Sequence, residues 1–158
     1  MDATILHTYV MNKSQYAPYD QSKLIEESSE LVLPNRYFNG INVTSFNISS
    51  NAKLRRIEIG SECYGKVRVF ELDGLDELES VVIGKESFRI RDRKRSDGSY
   101  RIVNCPKLKS IQIGNESFRD YHSFELNNLP SLQSIYMGQT CFYWTSSFSL
   151  TGLIDGLV

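Results

Sequence analysis

An eleven-residue motif occurs four times in this chain and restricts the folds open to it more than any other feature. The copies begin at Leu54, Leu78, Leu108 and Leu132, so their spacings are 24, 30 and 24 residues. Each copy has a leucine first, apolar residues at the fourth and sixth positions, a glycine at the seventh and an aromatic residue at the eleventh. Self-similarity at a period of this length is typical of solenoids, in which each repeat contributes one coil to a stacked array.

A less regular copy precedes these four, and a second apolar segment follows every copy. In the early copy, which begins near Leu31, Pro34 replaces the glycine and Phe38 provides the aromatic residue. The second segment alternates apolar and polar residues and recurs as Phe46-Asn-Ile48, Phe70-Glu-Leu72, Tyr100-Arg-Ile102, Phe124-Glu-Leu126 and Phe148-Ser-Leu150. Alternation with a period of two, in aliphatic and aromatic residues, predicts short β-strands.

We therefore predict a β-rich solenoid with parallel strands, two short strands in each repeat of about 24 residues, and little helix. Equivalent residues should lie over one another, so four aromatic residues should form an internal stack: Tyr64, Phe88, Phe118 and Phe142. Cys63 and Cys141 share a column with two serines and lie three repeats apart, roughly 15 Å at about 4.8 Å per strand, beyond disulfide reach. Cys105 falls in a column of leucines. We expect all three cysteines to be small buried hydrophobic residues.

The repeats divide the chain into two regions. Residues 1–30 do not follow the period, and we expect an N-terminal tail and cap with a short helix beginning near Asp20, because the first coil of a solenoid must be covered. Residues 31–158 form the solenoid, with repeats starting near Leu31, Leu54, Leu78, Leu108 and Leu132. The long third spacing comes from an insert at residues 91–99, in which an Asp-Gly pair predicts a turn.

The motif Leu-x-x-Ile-x-Ile, followed five residues later by an aromatic residue, resembles the leucine-rich repeat. The resemblance covers residues 31–154 and is closest to the irregular, aromatic-rich repeats of the BspA-like kind, common in microbial eukaryotes and some bacteria. It implies a right-handed coil of parallel strands and a role in protein recognition, without catalysis. The position that holds asparagine in that family is Glu62, Glu86, Glu116 or Thr140 here, so no asparagine ladder can form. Buried glutamates would repel one another, and we expect them at the solvent edge of the turn.

Composition argues against several classes of function. The 18 basic and 19 acidic residues nearly cancel, so no global field attracts nucleic acid or an acidic lipid surface. The sequence has no apolar run of membrane-spanning length and no secretory signal at its start, which predicts a cytoplasmic protein. His7 and His122 lack the partners of a zinc site or a nucleophilic dyad, and the repeated glycines do not form a phosphate-binding loop. We expect no enzyme activity, cofactor, metal or small-molecule substrate.

The outward positions of the first strands are the candidate surface for a partner protein, and they face the concave side in leucine-rich repeats. These positions hold Arg56, Glu58, Ser80, Val82, Ser110, Gln112, Ser134 and Tyr136. Val82 and Tyr136 are the expected apolar anchors, since tyrosine is enriched at binding hot spots. The second strands expose a mixed column more typical of a solvated face: Asn47, Glu71, Arg101, Glu125 and Ser149.

Two other functions stay open. Five basic side chains in or beside the insert could bind an anion such as nucleic acid or a lipid headgroup, although basic loops are usually only solvated: Arg89, Arg91, Arg93, Lys94 and Arg95. A structural scaffold could instead assemble through the C-terminal coil, because an uncovered strand edge is a template for association. That coil could be covered by Ile154, Leu157 and Val158, by another chain, or by further repeats of a longer array.

Overall fold

The computed structural model describes residues 8–10, 29–40, 43–49, 53–91 and 97–154, which contain eleven β-strands and no helix. The strands are β1 (Thr8–Val10), β2 (Glu30–Leu33), β3 (Ser45–Ile48), β4 (Arg56–Ile59), β5 (Val69–Asp73), β6 (Ser80–Ile83), β7 (Gly98–Val103), β8 (Ser110–Ile113), β9 (Tyr121–Leu129), β10 (Ser134–Met137) and β11 (Ser147–Leu153). The short helix predicted near Asp20 lies outside the described residues. Within the described ranges, no helix has the length and apolar character needed to cross a membrane.

The strands form two parallel sheets, and the chain passes from one sheet to the other in every coil. The first sheet has the order β1-β2-β4-β6-β8-β10, and the second has the order β11-β9-β7-β5-β3. Pairing joins residues at the same position of the repeat, so that Ile57 pairs with Val81 and Val81 with Ile111. The predicted solenoid is confirmed, with two strands in each turn of about 24 residues. Strand β1, which the period does not predict, pairs in parallel with β2 at the N-terminal edge of the first sheet.

The predicted internal stack of aromatic rings is also confirmed. Phe118 is fully buried, and its ring centroid lies 4.7 Å from that of Phe88 and 5.2 Å from that of Phe142. Tyr64 and Phe38 continue this stack toward the N-terminus. The rings superpose because the period places one aromatic residue at the same corner of each coil.

A second aromatic column runs beside the first along the second sheet. The ring of Tyr100 stacks between those of Phe70 and Phe124, with centroids 4.9 Å away on each side. The two columns meet edge to face, with the centroids of Tyr100 and Phe118 separated by 4.9 Å. Stacked and edge-to-face pairs contribute about 0.5–1.5 kcal/mol each beyond the burial of their area. The aromatic columns therefore stabilise both the interior of each coil and the stacking of coils.

Glycine follows each regular first strand because the neighbouring coil lies too close for a side chain. A Cβ atom on Gly114 would lie 2.5 Å from the amide nitrogen of Lys85 and 2.6 Å from the carbonyl carbon of Gly84. A Cβ atom on Gly84 would lie 2.6 Å from the carbonyl carbon of Gly60. None of the motif glycines has a positive φ. Contact between coils, and not an unusual backbone conformation, therefore requires glycine at this position.

Three residues after the glycine, a small polar side chain links each coil to the preceding one. The Ser117 hydroxyl donates to the carbonyl oxygen of Gly84 at 2.7 Å and accepts from the amide of Ser87 at 3.1 Å. Ser87 makes the equivalent two bonds one coil earlier. The Cys141 thiol takes the same place and donates to the carbonyl oxygen of Gly114 at 3.0 Å. This serine–cysteine ladder satisfies backbone groups that the turn would otherwise leave unpaired inside the protein.

The expectation that all three cysteines are small buried hydrophobic residues is only partly correct. Cys63 and Cys105 are buried, and burial raises the pKa of the Cys105 thiol to about 11. Cys141 is half-buried, because it belongs to the last described coil and no described coil lies over it. Cys63 and Cys141 also donate hydrogen bonds in the serine–cysteine ladder, so their thiols act as polar groups and not only as hydrophobic ones. All three are free thiols.

The glutamates of the turn lie at its solvent edge, as predicted, and their backbone joins successive coils. Glu86 has a φ of 55°, in the left-handed region, and its amide donates to the carbonyl oxygen of Asn115 in the following coil at 2.8 Å. The amide of Gly84, two residues earlier, donates to the preceding coil instead. Each turn is therefore tied to both neighbours. The glutamate side chains pair with arginine, as in the 2.7 Å contact between Glu116 and Arg89.

A tyrosine bridges the coil that carries the insert. The Tyr121 hydroxyl donates to the carbonyl oxygen of Val67, 54 residues earlier and two coils away, at 2.7 Å. Gly98 leaves room for this ring, since a Cβ atom there would lie 2.7 Å from it. At the C-terminal base of the insert, Asp97 pairs with Arg68 of the preceding coil. The additional residues are thus accommodated without displacing the aromatic columns on either side.

Candidate interaction surfaces

The structure brings the eight predicted binding residues together on one face. They alternate with core residues along β4, β6, β8 and β10, so every second side chain points away from the core. Parallel register then arranges them in two adjacent columns, Arg56-Ser80-Ser110-Ser134 and Glu58-Val82-Gln112-Tyr136. We refer to these eight residues as the first-sheet face.

The first-sheet face changes character along the coil axis. At its N-terminal side, Arg56 and Glu58 form an ion pair with each other. From β6 onward the outward side chains of this face carry no charge. Val82 is half-buried at the centre, and Tyr136 is 62% exposed at the C-terminal side. The predicted anchors therefore share one uncharged strip, with Gln112 between them.

The outward face of the second sheet is a network of ion pairs. The Arg101 guanidinium lies 3.0 Å from the Glu125 carboxylate on one neighbouring strand and 3.3 Å from that of Glu71 on the other. Desolvation works against the charged form, but the hydrogen bonds and charges of Glu125 and Glu71 prevail and raise the Arg101 pKa. These charged groups already satisfy one another in water-exposed positions. The arrangement is that of a solvated face, as the mixed column predicts.

The basic residues beside the insert are partly engaged by carboxylates. Arg89 lies 2.7 Å from Glu116, and Arg91 lies 3.2 Å from Glu86. With Lys66 they border a cleft of about 210 Å³ that also contains Glu62 and Glu86. Arg93, Lys94 and Arg95 lie outside the described residues. The charges lining this cleft largely compensate one another, and anion binding by the insert stays a prediction.

Two exposed aromatic residues next to the last turn were not among the predicted binding residues. Tyr143 and Trp144 contact each other edge to face at 4.9 Å, and Arg119 lies over the Tyr143 ring at 5.6 Å from its centroid. Both rings are mostly exposed. Alignment of the copies could have identified them. The two positions after the column aromatic hold Tyr143 and Trp144 in this copy but Arg119 and Asp120 in the preceding one. Aromatic residues at such outward positions indicate a contact surface.

The described residues contain no cluster of metal-ligating side chains. Within them, no three His, Cys, Asp or Glu side chains are grouped as metal ligands. His122 lies at the surface, where Ser146 Oγ is 3.0 Å from its Nδ1. His7 lies outside the described part of the chain. The candidate sites that the described geometry offers are the surfaces above.

No protein-family model, no curated protein and no solved structure matches this chain. The resemblance to the leucine-rich repeat thus remains a prediction that rests on the motif. The two sheet faces, the cleft and the last coil are interpreted from their own chemistry.

Proposed function

We propose that this protein is a non-enzymatic interaction module that binds a partner protein through the first-sheet face. The observation that supports this most strongly is the uncharged strip across β6, β8 and β10, which contrasts with the ion-paired face of the second sheet. Charged residues are depleted at the centres of protein interfaces, because desolvating them is costly. A partner would meet this cost on the second sheet but not on the strip.

The side chains of the strip suit contact with a protein surface. Ser80, Ser110 and Ser134 are short, so a partner can approach the sheet closely. Val82 offers an apolar contact at the centre, and Tyr136 offers a large ring with a polar tip at the side. Tyrosine buries much area at a small cost in conformational entropy and is frequent at binding hot spots. We infer that Val82 and Tyr136 anchor the partner, with Gln112 as a hydrogen-bonding group between them.

Photocrosslinking tests this proposal. A benzophenone side chain at Gln112 should capture a discrete partner, identified by mass spectrometry, whereas the same group at Glu125 on the second sheet should not. Combining Val82→Arg with Tyr136→Ala should lower capture at residue 112 by at least tenfold, since two anchors of about 1 kcal/mol or more are lost.

The matched control applies the same two kinds of substitution away from the strip. Val69 is an exposed apolar residue on the second sheet, and Tyr143 is an exposed tyrosine beside the last turn. Val69→Arg with Tyr143→Ala should leave capture at residue 112 unchanged. Equal loss in both double variants, or unchanged capture in the first, would remove the first-sheet face from the proposed function.

A further inference from the structure

Exposed apolar side chains are concentrated in the last described coil, residues 132–154. Among the described residues, eight large hydrophobic side chains are exposed, and only Val69 lies outside this coil. The others are Tyr136, Met137, Tyr143, Trp144, Phe148, Leu150 and Ile154. Large apolar patches on soluble proteins generally mark contact surfaces.

Three of these side chains occupy positions that form the core in every earlier coil. Phe148 is 59% exposed, although Phe124, its partner one coil earlier in the second sheet, is buried. Leu150 is 55% exposed above the fully buried Leu126, and Met137 is 36% exposed at the position of a buried isoleucine. The end of the coil therefore presents a cross-section of the protein core.

The same end presents unpaired backbone. Strand β10 is the last strand of the first sheet and β11 the last of the second, so each has a free edge within the described chain. Free edges are usually protected by charged side chains or proline, which discourage pairing with another chain. Here the sequence contains no Asp, Glu, Lys, Arg or His from Leu126 to Ile154. The preceding segment, Leu108 to Glu125, has six side chains of these types.

The opposite end does not match this surface. Leu31, Leu33, Phe46 and Ile48 of the first coil are buried, and β1 pairs with the outer edge of β2. Stacking the C-terminal end of one copy on the N-terminal end of another would therefore join an apolar surface to an end whose described core residues are buried. A two-fold arrangement instead places the apolar end of one copy against the same end of another.

We propose that the open end of the last described coil, which presents Met137, Phe148 and Leu150, is a self-association surface. A second copy of this chain docks on it end to end about a two-fold axis. A two-fold axis brings residues near the axis close to their own copies, so like charges there would repel. The charge-free segment removes that repulsion, which favours a second copy over a charged partner. Both apolar ends are consumed in the contact, so assembly stops at the dimer. The first-sheet face points away from this end and stays accessible.

Sedimentation and light scattering test the stoichiometry. We expect twice the 18.1 kDa mass of one chain at micromolar concentration. Leu150→Lys on β11 and Met137→Lys on β10 should each give the mass of one chain, because a lysine at the interface would lose its hydration. Val69→Lys is the matched control and should remain dimeric. A monomeric parent chain, a series of growing oligomers, or dimers in both end variants would overturn the proposal.

Spin-label distances test the geometry with Met137, Phe148 and Leu150 unchanged. In a Cys141→Ser background, labels are placed at Thr151 on β11 or at Asn47 on β3, both exposed. Four strand spacings of about 4.8 Å separate these strands, so end-to-end contact should make the 47–47 distance roughly 40 Å longer than the 151–151 distance. Equal distances would indicate head-to-tail stacking and refute the two-fold arrangement. Neither the labels nor the Cys141→Ser change alters Val82 or Tyr136. If these distances contradict the dimer, the proposed binding of a partner through the first-sheet face still stands.

Discussion

Tyr100 is buried in the second aromatic column, and its hydroxyl has no hydrogen-bond partner among the described residues. Tyr121 is buried as deeply, but its hydroxyl donates to the carbonyl oxygen of Val67. Burying a polar group without a partner costs about 1–3 kcal/mol, whereas a satisfied group contributes favourably. The same chemical group therefore destabilises the fold at one site and stabilises it at the other.

We expect Tyr100→Phe and Tyr121→Phe to have opposite effects on the free energy of unfolding. Tyr100→Phe should raise it by about 1 kcal/mol, because phenylalanine fits the column without an unpaired hydroxyl. Tyr121→Phe should lower it by about 1–3 kcal/mol, because the Val67 carbonyl then has no side-chain donor. Urea denaturation of both variants measures the difference. A loss of stability in both would mean that the Tyr100 hydroxyl has a partner in solution.

Truncation of Phe118 tests how much one ring of the internal aromatic stack contributes to the free energy of unfolding. Phe118→Ala should cost about 3–5 kcal/mol of unfolding free energy, as truncation of buried aromatic residues generally does. Tyr143→Ala is the control one coil later, on an exposed ring whose main contacts are Arg119 and Trp144, and it should cost about 1 kcal/mol or less. Thermal melting compares the two variants. Similar losses would contradict the register that places residue 118 inside and residue 143 outside.

At the scale of the coil, the period of the sequence predicts most of what the structure contains. Equivalent apolar residues share one environment, so the columns, the strand pairing and the aromatic stack follow from alignment of the copies. Alignment of the copies does not explain why two other columns hold the residues they do. The glycine and serine–cysteine columns are constrained by the adjacent coil, and the distance between coils is a tertiary property. Strand β1 was missed because it has no counterpart in the repeat.

Close contact between coils makes substitution of Gly114 costly. Gly114→Ala places a Cβ atom against the backbone of the preceding coil and should lower the free energy of unfolding by about 1–3 kcal/mol or more. Gly40 is the control, because a Cβ atom there has no heavy atom within 4 Å and Gly40→Ala should change stability by about 0.5 kcal/mol or less. Urea denaturation provides the comparison. If the two variants lost equal stability, the coils would be able to move apart locally.

Across the whole molecule, burial of thiols and phenols makes stability depend on alkaline pH. An unfolded thiol ionises near pH 8.5, whereas Cys105 ionises at about 11 when folded, chiefly because burial disfavours the thiolate. Desolvation also raises the pKa values of Tyr64, Tyr100 and Tyr121. Above pH 8.5 the unfolded chain thus holds fewer protons than the folded protein, and stability falls as pH rises.

We therefore expect the free energy of unfolding to decline between pH 8.5 and 10 with a contribution from Cys105 of roughly 1 kcal/mol per pH unit. Cys105→Ala should reduce this slope, whatever its effect on stability at neutral pH. The urea midpoint measured at several pH values gives the slope for both proteins. An unchanged slope in the variant would show that Cys105 ionises as readily folded as unfolded.

The candidate surfaces could be predicted only in part. Outward positions such as Val82 and Tyr136 follow from the alternation along the strand, and the structure places them on one face. An uncovered C-terminal coil was one of the alternatives in the sequence, but the motif could not decide it, because Phe148 and Leu150 obey the same pattern as buried residues of earlier coils. Their exposure depends on what stacks above them, which no single repeat encodes.

The fixed base of the insert makes this solenoid suitable as a carrier for foreign peptides. Arg68 holds Asp97, and Tyr121 reaches across the inserted coil to Val67, so the base is secured by contacts that do not involve residues 92–96. We expect an epitope grafted in place of those residues to be displayed while the melting temperature stays near that of the parent. A graft that destabilised the protein as much as Gly114→Ala would show that the native insert itself supports the coil.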